Sequence, residues 1–342
     1  MDPDQTKSVS PASDPLNLVP VTSDLSSEER DYISQARAAN TVRGYRSDWS
    51  EWTAWCTSVD VDPLPAQPEQ ISAYLAFLAS HGAKVGTMSR RLSALRFAHR
   101  MHQQSDPTDH PRVIAVWEGI QRAHKDTPDQ AAPLMPPDLT EVIESCPLVR
   151  SWKSDRADEP DLSGVRDRAL LSVGFFAALR RSEISAIQFE HLEQRSRGWV
   201  LHIPRSKANQ TGPNDELVAL PRMSDARIDP IRLLESWFEH APIEAGDSFV
   251  FRSVDRHNRL GESLSGTAIN NIVKRAVRRT GRDAAPFSAH SLRAGFVTYA
   301  HLRGASDRAI AHQTRHASLA SVGTYTRIEE VFEDNAVTQL GL

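Results

Sequence analysis

Cysteine is scarce: Cys56 and Cys146 are the only two in 342 residues, and no Cys/His spacing suits zinc. This argues against a disulfide framework and a structural zinc site and leaves two buried thiols as the expectation. Long hydrophobic runs are missing as well. The longest, Ala169 to Leu179, falls far short of a membrane span, and the Met1-Asp2-Pro3-Asp4 start carries neither the basic nor the apolar stretch of a signal peptide. A cytoplasmic protein is expected. No Gly-x-x-x-x-Gly-Lys-Ser/Thr loop occurs, so no P-loop for a nucleotide is expected. A basic surplus is also absent. The net charge is -4, which by itself weighs against a nucleic-acid partner. Its distribution changes that reading, because residues 1 to 35 hold seven acidic side chains against two basic ones, leaving 38 basic against 37 acidic in the remainder.

What is present is an ordinary globular composition, 39% hydrophobic and 25% charged, at a length that favours two domains. Residues 1 to 26, rich in Ser, Pro and Asp, read as a flexible acidic arm. From Asn40, a candidate N-cap, the side chains Val42, Tyr45, Trp49, Trp52 and Cys56 recur at steps of three and four, the mark of one buried helix face. Ile71, Tyr74, Leu75 and Leu78, then Met88, Leu92, Leu95 and Ala98, then Val113, Val116, Trp117 and Ile120 repeat the period, so residues 27 to 125 are expected to form a helical bundle. Four prolines between His124 and Asp138 read as a linker over 126–137. The second domain, 138–342, is expected to be mainly helical around one small antiparallel sheet, because Trp199, Leu201 and Ile203 alternate with polar neighbours and Leu217 to Leu220 follows a Gly212-Pro213-Asn214 turn.

Four groups of residues in this second part could carry chemistry. Arg180 and Glu183 stand three apart where one apolar helix ends and another begins, as a surface ion pair also would. Lys207 falls at the tip of the expected hairpin, where solubility alone also favours lysine. His290 and Arg293 open a helix at a spacing that sets an imidazole beside a guanidinium, a geometry that can grip one phosphate, although a structural histidine fits the same spacing. His316 and Tyr325 flank a loop and helix across which a hydroxyl could return toward the imidazole, and a tyrosine there could equally be core.

Taken in order, Arg180 with Glu183, Lys207, His290-x-x-Arg293, His316 and Tyr325 resemble the tyrosine recombinase (phage integrase) family. The resemblance extends to the amino-terminal part, where Trp49 to Cys56, the Pro-Glu-Gln-Ile-Ser-Ala-Tyr-Leu stretch and the Arg90 to Arg100 helix are similar to the core-binding, SAM-like domain of two-domain Cre-type members. It implies a site-specific recombinase that cuts and rejoins double-stranded DNA as a homo-tetramer on paired sites, without metal, nucleotide or other cofactor. Tyr325 would be the nucleophile forming a 3'-phosphotyrosine linkage, Arg180 and Arg293 the fixed cations, and Lys207 the general acid with a lowered pKa. His290 would help move the tyrosine proton, His316 would hydrogen-bond the phosphate, and Glu183 would steady these side chains.

Arg315 departs from the resemblance, since the family often has glycine before this histidine, and it is expected to add a cation near DNA. Acid-free clusters in both domains, Arg90, Arg91, Arg96 and Arg100 in one and Lys274, Arg275, Arg278, Arg279 and Arg282 in the other, suggest two halves of a clamp on phosphates, with Arg43, Arg46 and Ser47 as further candidates. The last segment, with Val331, Phe332, Val337 and Leu340, would cap its own domain or dock into a neighbouring protomer. Two rivals share these residues: a type IB topoisomerase, and a DNA-binding regulator that does not cleave.

Overall fold

The structure is a computed structural model and describes residues 26–35, 37, 39–124, 130–150, 159–203, 216–241 and 248–315. Lys207, His316, Tyr325 and the segment with Val331, Phe332, Val337 and Leu340 lie outside these residues. The chain divides into two compact units, 1–128 and 129–342. Among the described residues no helix is long and apolar enough to cross a membrane.

The first unit holds helices α1 (Ser27–Gln35), α2 (Ala39–Ser58), α3 (Pro68–Ser80), α4 (Val85–Met101) and α5 (Pro111–Ala123). The faces marked by the hydrophobic period are the ones buried: Trp52, Cys56, Ile71, Leu75, Met88 and Leu95 are at most 1% exposed and form one cluster. Each large apolar side chain so buried contributes about 1.5–3 kcal/mol. Polar groups inside this core are matched. The Trp52 indole Nε1 donates to Pro63 O at 3.0 Å, and His99 sits between Leu95 O and the Ala66 amide. Proline at the first position of α3 and of α5 starts each helix where a missing N–H is harmless. Asn40 differs from its expected role. It lies inside α2, and its side-chain oxygen accepts from Arg43 Nη1 rather than capping the backbone.

The second unit contains α6 (Asp138–Glu144), α7 (Leu162–Phe176), α8 (Arg181–Ala186), α9 (Pro230–His240), α10 (Gly266–Arg279), α11 (His290–Leu302) and α12 (Asp307–Thr314). Strands β1 (Leu192–Arg195), β2 (Gly198–Ile203) and β3 (Glu216–Pro221) form an antiparallel sheet in that order, and β4 (Arg252–Val254) pairs with β5 (Leu260–Ser263) as a second hairpin. The alternation in β2 and β3 turns Leu201, Ile203, Val218 and Leu220 into the core. Ile203 pairs with Glu216, so the 204–215 connection that carries Lys207 closes a hairpin. Helix α7 is the centre of this unit. Asp161 caps its start by accepting from the Gly164 amide, and nearly every residue from Gly164 to Phe175 is buried.

The expected linker is shorter than its prolines suggest. Leu134 is 1% exposed, its amide donates to Ser291 O, and the Ala132 amide donates to Pro286 O, so this stretch belongs to the second core. Gly295 on α11 makes the close approach possible, since a Cβ there would stand 2.1 Å from Leu134 O.

Candidate active site

The site begins where α7 stops. Ala178 adopts φ 47°, a left-handed turn that reverses the chain and lets the Leu179 amide donate to Gly174 O. The next residue, Arg180, caps α8. Its own amide donates to Glu183 Oε2 at 2.8 Å while its Nη1 donates to Oε1 at 2.7 Å, so one carboxylate satisfies the helix start and fixes the guanidinium together. The Arg180 side chain keeps 20% exposure and Glu183 only 2%. The sequence therefore placed the pair correctly, but it is a half-buried clamp rather than a surface ion pair.

Arg293 projects from the first turn of α11 and is 1% exposed. Its Nη1 donates to Ala178 O at 2.6 Å, in the turn after α7, and its Nη2 to the carbonyl of Thr314, the last residue of α12. Helix carboxyl ends carry partial negative charge and leave carbonyls without intrahelical donors, so a guanidinium on Thr314 O is well placed. Gln313 does the same work beside it, donating to Phe176 O at 2.8 Å and Ala219 O at 3.1 Å. His290, the first residue of α11, remains exposed on one face. The protein packed around its ring, then the charges of Arg293 and Arg180, hold its imidazole below the ordinary range. That places a neutral base among cations. The expected side-by-side grip of His290 and Arg293 is thus a layered one, with the imidazole outside and the guanidinium behind it.

Arg315 is where sequence reasoning missed the role. Expected as a cation facing DNA, its guanidinium instead turns inward, 3% exposed, and Nη2 donates to Glu183 Oε2 at 2.6 Å. Burial pushes the Glu183 carboxyl up, but the Arg315 charge and the two contacts from Arg180 outweigh it and leave the group below its usual range. Glu183 is therefore ionised and shared. Glu216, at the start of β3, approaches Arg315 Nε at 3.4 Å and was not singled out by the sequence either. Three guanidiniums against two carboxylates leave this cluster a net cation. It suits an anion whose charge grows during reaction.

The basic clusters separate by environment. Arg90 is held by Asp48 through two hydrogen bonds of 2.8 and 2.9 Å, Arg91 by Tyr74, and Arg96 by Asp106 and Thr108. In the second unit Arg275 pairs with buried Asp167, Arg282 with Asp138 and Glu141, and Lys274 donates to Ala285 O. Arg43, Arg46, Ser47, Arg100, Arg278 and Arg279 are exposed, as are Arg90 and Arg275 despite their carboxylates. Both cysteines are fully buried, and desolvation pushes each thiol up to about 12, so neither offers a nucleophile.

Comparison with known proteins adds to this geometry. Residues 155–330 match the phage integrase family, and residues 30–103 match the phage integrase N-terminal SAM-like domain. The chain is 33% identical over 320 residues to an integrase/recombinase xerD homolog of Selenomonas ruminantium, covering 92% of this chain and 89% of that protein. It is 25% identical over 275 residues to recombinase cre of Escherichia phage P1, covering 76% of each. Among solved structures it is similar in fold to the XerH site-specific recombinase bound to a palindromic difH substrate, with a TM-score of 0.64 at 15% identity over 92% of this chain and 84% of that one.

Proposed function

This chain belongs to the phage integrase family of tyrosine recombinases, and from that membership we propose a site-specific DNA recombinase that works through a covalent 3'-phosphotyrosine intermediate. The observation that carries the reading is the fixed cationic cluster of Arg180 and Glu183 at the start of α8 and Arg293 at the start of α11, its guanidinium held by Ala178 O and Thr314 O. A phosphodiester attacked in line gathers charge on its non-bridging oxygens, and guanidiniums already held by the protein meet that charge without reorganising.

In the reaction we propose, the Tyr325 hydroxyl attacks phosphorus and the 5'-oxygen departs. His290, kept neutral by its surroundings, helps take the tyrosine proton. Lys207, on the connection between β2 and β3, protonates the leaving oxygen, and His316 hydrogen-bonds a phosphate oxygen. Glu183 holds Arg180 in place. The phosphotyrosine conserves the bond energy of the cleaved strand, and the freed 5'-hydroxyl of a second strand reverses the step to reseal it. Double-stranded DNA is the partner, the amino-terminal SAM-like unit forms half of the clamp, and four copies act on two paired sites.

The test is covalent trapping on nicked duplexes of randomised sequence, which lose a short fragment after cleavage and cannot reseal. A denaturation-resistant protein–DNA adduct is expected from the native chain and not from Tyr325→Phe. An adduct that persists in that variant would mean another nucleophile, and none at all from the native chain would remove the recombinase reading.

A further inference from the structure

Arg315 occupies a backbone conformation that disfavours it. Its φ of 55° and ψ of 46° are left-handed, the region in which helices usually end on glycine. The side chain shows what holds it there. Nη2 donates to Glu183 Oε2 at 2.6 Å, Nη1 donates to Ala177 O at 3.2 Å and Gln313 O at 3.0 Å, and Nε lies 3.4 Å from Glu216 Oε2. The three hydrogen-bond acceptors and the ion-paired Glu216 belong to four segments: α8 beside Arg180, the end of α7, the last turn of α12, and the first residue of β3. Glu216 is the foot of the connection that carries Lys207, and His316 follows Arg315 directly in the chain.

The charge arrangement gives the contact a purpose. Glu183 bears one negative charge, and shared with Arg180 alone it would cancel that arginine. Arg315 takes the other oxygen and is itself met by Glu216, so these four charges balance, the surplus of the cluster is that of Arg293, and the contact serves to hold the Glu183 carboxylate in place against Arg180.

Resting on the recombinase reading, we propose that Arg315 is a positioning residue for strand cleavage, tying the arginine clamp of Arg180 and Glu183 to the segments that bear Lys207 and His316. It touches neither DNA nor the reacting atoms. Its substitution therefore separates cleavage from binding, because DNA affinity depends on surface cations while cleavage depends on alignment.

The experiment uses the full chain and nicked duplexes recovered by the randomised trapping. Arg315→Gly relieves the backbone and removes the guanidinium. Its single-turnover cleavage is expected to fall roughly 100-fold while affinity for the same duplex is unchanged. The emptied position keeps its carboxylates and carbonyls, so free guanidinium at millimolar concentration should restore part of the rate where sodium chloride of equal ionic strength does not. Arg315→Lys retains one contact to Glu183 but cannot bridge all four segments, and it should cleave at an intermediate rate with unchanged affinity. Cleavage by Arg315→Gly at the native rate overturns the proposal. So does joint loss of binding and cleavage without rescue by guanidinium. Should the glycine variant not fold, a native cleavage rate in Arg315→Lys overturns the bridging role on its own. Absence of any adduct from the native chain is a different result, which removes the recombinase reading on which the proposal rests.

Discussion

His99 makes the residue scale concrete. Its Nδ1 lies 2.8 Å from Leu95 O and its Nε2 accepts the Ala66 amide at 2.9 Å, which fixes a neutral ring with its proton on Nδ1. Burial, ahead of the opposing hydrogen bond to Leu95 O and the Asp106 charge, holds this imidazole below its ordinary value. The unfolded chain therefore takes up the proton first. Stability from this group is present above about pH 6.5 and is lost as pH falls through that value towards the folded pKa. Melting of the full chain at about pH 7.5 and about pH 5.5 should show a steeper acid loss in the native protein than in His99→Gln. Equal slopes would show that His99 does not set it.

At the same scale, Arg180 and Glu183 were legible because their spacing fixes their relation on a helix start, whatever surrounds them. Arg315 was not, because its partners Glu183 and Glu216 are remote in sequence and its left-handed backbone is one that sequence rules reserve for glycine.

Elements were legible where one face carries the hydrophobic signal, and illegible where it does not. The faces of α2, α3 and α4 and the alternation of β2 stood out because Trp52, Leu75, Leu95 and Leu201 recur at the period of their own backbone. Strand β1, with the sequence Leu-Glu-Gln-Arg, and the β4–β5 hairpin show no alternating burial, so neither was anticipated. Residues 130–137 misled in the opposite direction. Their prolines hide Leu134, whose docking depends on a glycine more than 150 residues later. Gly295→Ala would drive a methyl into the Leu134 carbonyl, and α11 would have to move away from that segment. A loss of about 3 kcal/mol in equilibrium unfolding is expected. Because Arg293 sits on the same helix, the variant should also slow cleavage even where it remains folded.

For the whole molecule the informative quantity is which cations are already spent. A net charge of -4 and two arginine-rich stretches looked contradictory in the sequence. They are reconciled because many of those arginines pair with carboxylates of the same chain, buried ones at Asp48 and Asp167 and exposed ones at Asp138 and Glu141. Arg282 spans Asp138 and Glu141, whereas Arg278 and Arg279 on the neighbouring helix α10 are exposed. The salt dependence of DNA binding should reflect this difference. Replacing Arg278 and Arg279 with alanine should reduce the slope of log affinity against log salt by about 0.9 for each phosphate no longer neutralised, and Arg282→Ala should leave it nearly unchanged. A reduced slope in Arg282→Ala would show that its carboxylates release it to DNA.

Trp52 and Trp55 stack with ring centroids 5.4 Å apart and planes 22° from parallel, against Tyr74. Two indoles this close and this fixed interact as coupled chromophores. The first unit thus carries its own optical label: a paired circular-dichroism band from two indoles of α2 held against Tyr74 of α3. Trp237 in the second unit is fully buried with its Nε1 on Val250 O, and the summed emission of all seven tryptophans reports both units where the paired band reports one. Order of unfolding, and which half tightens when a duplex is added, can therefore be followed by light on the unlabelled chain.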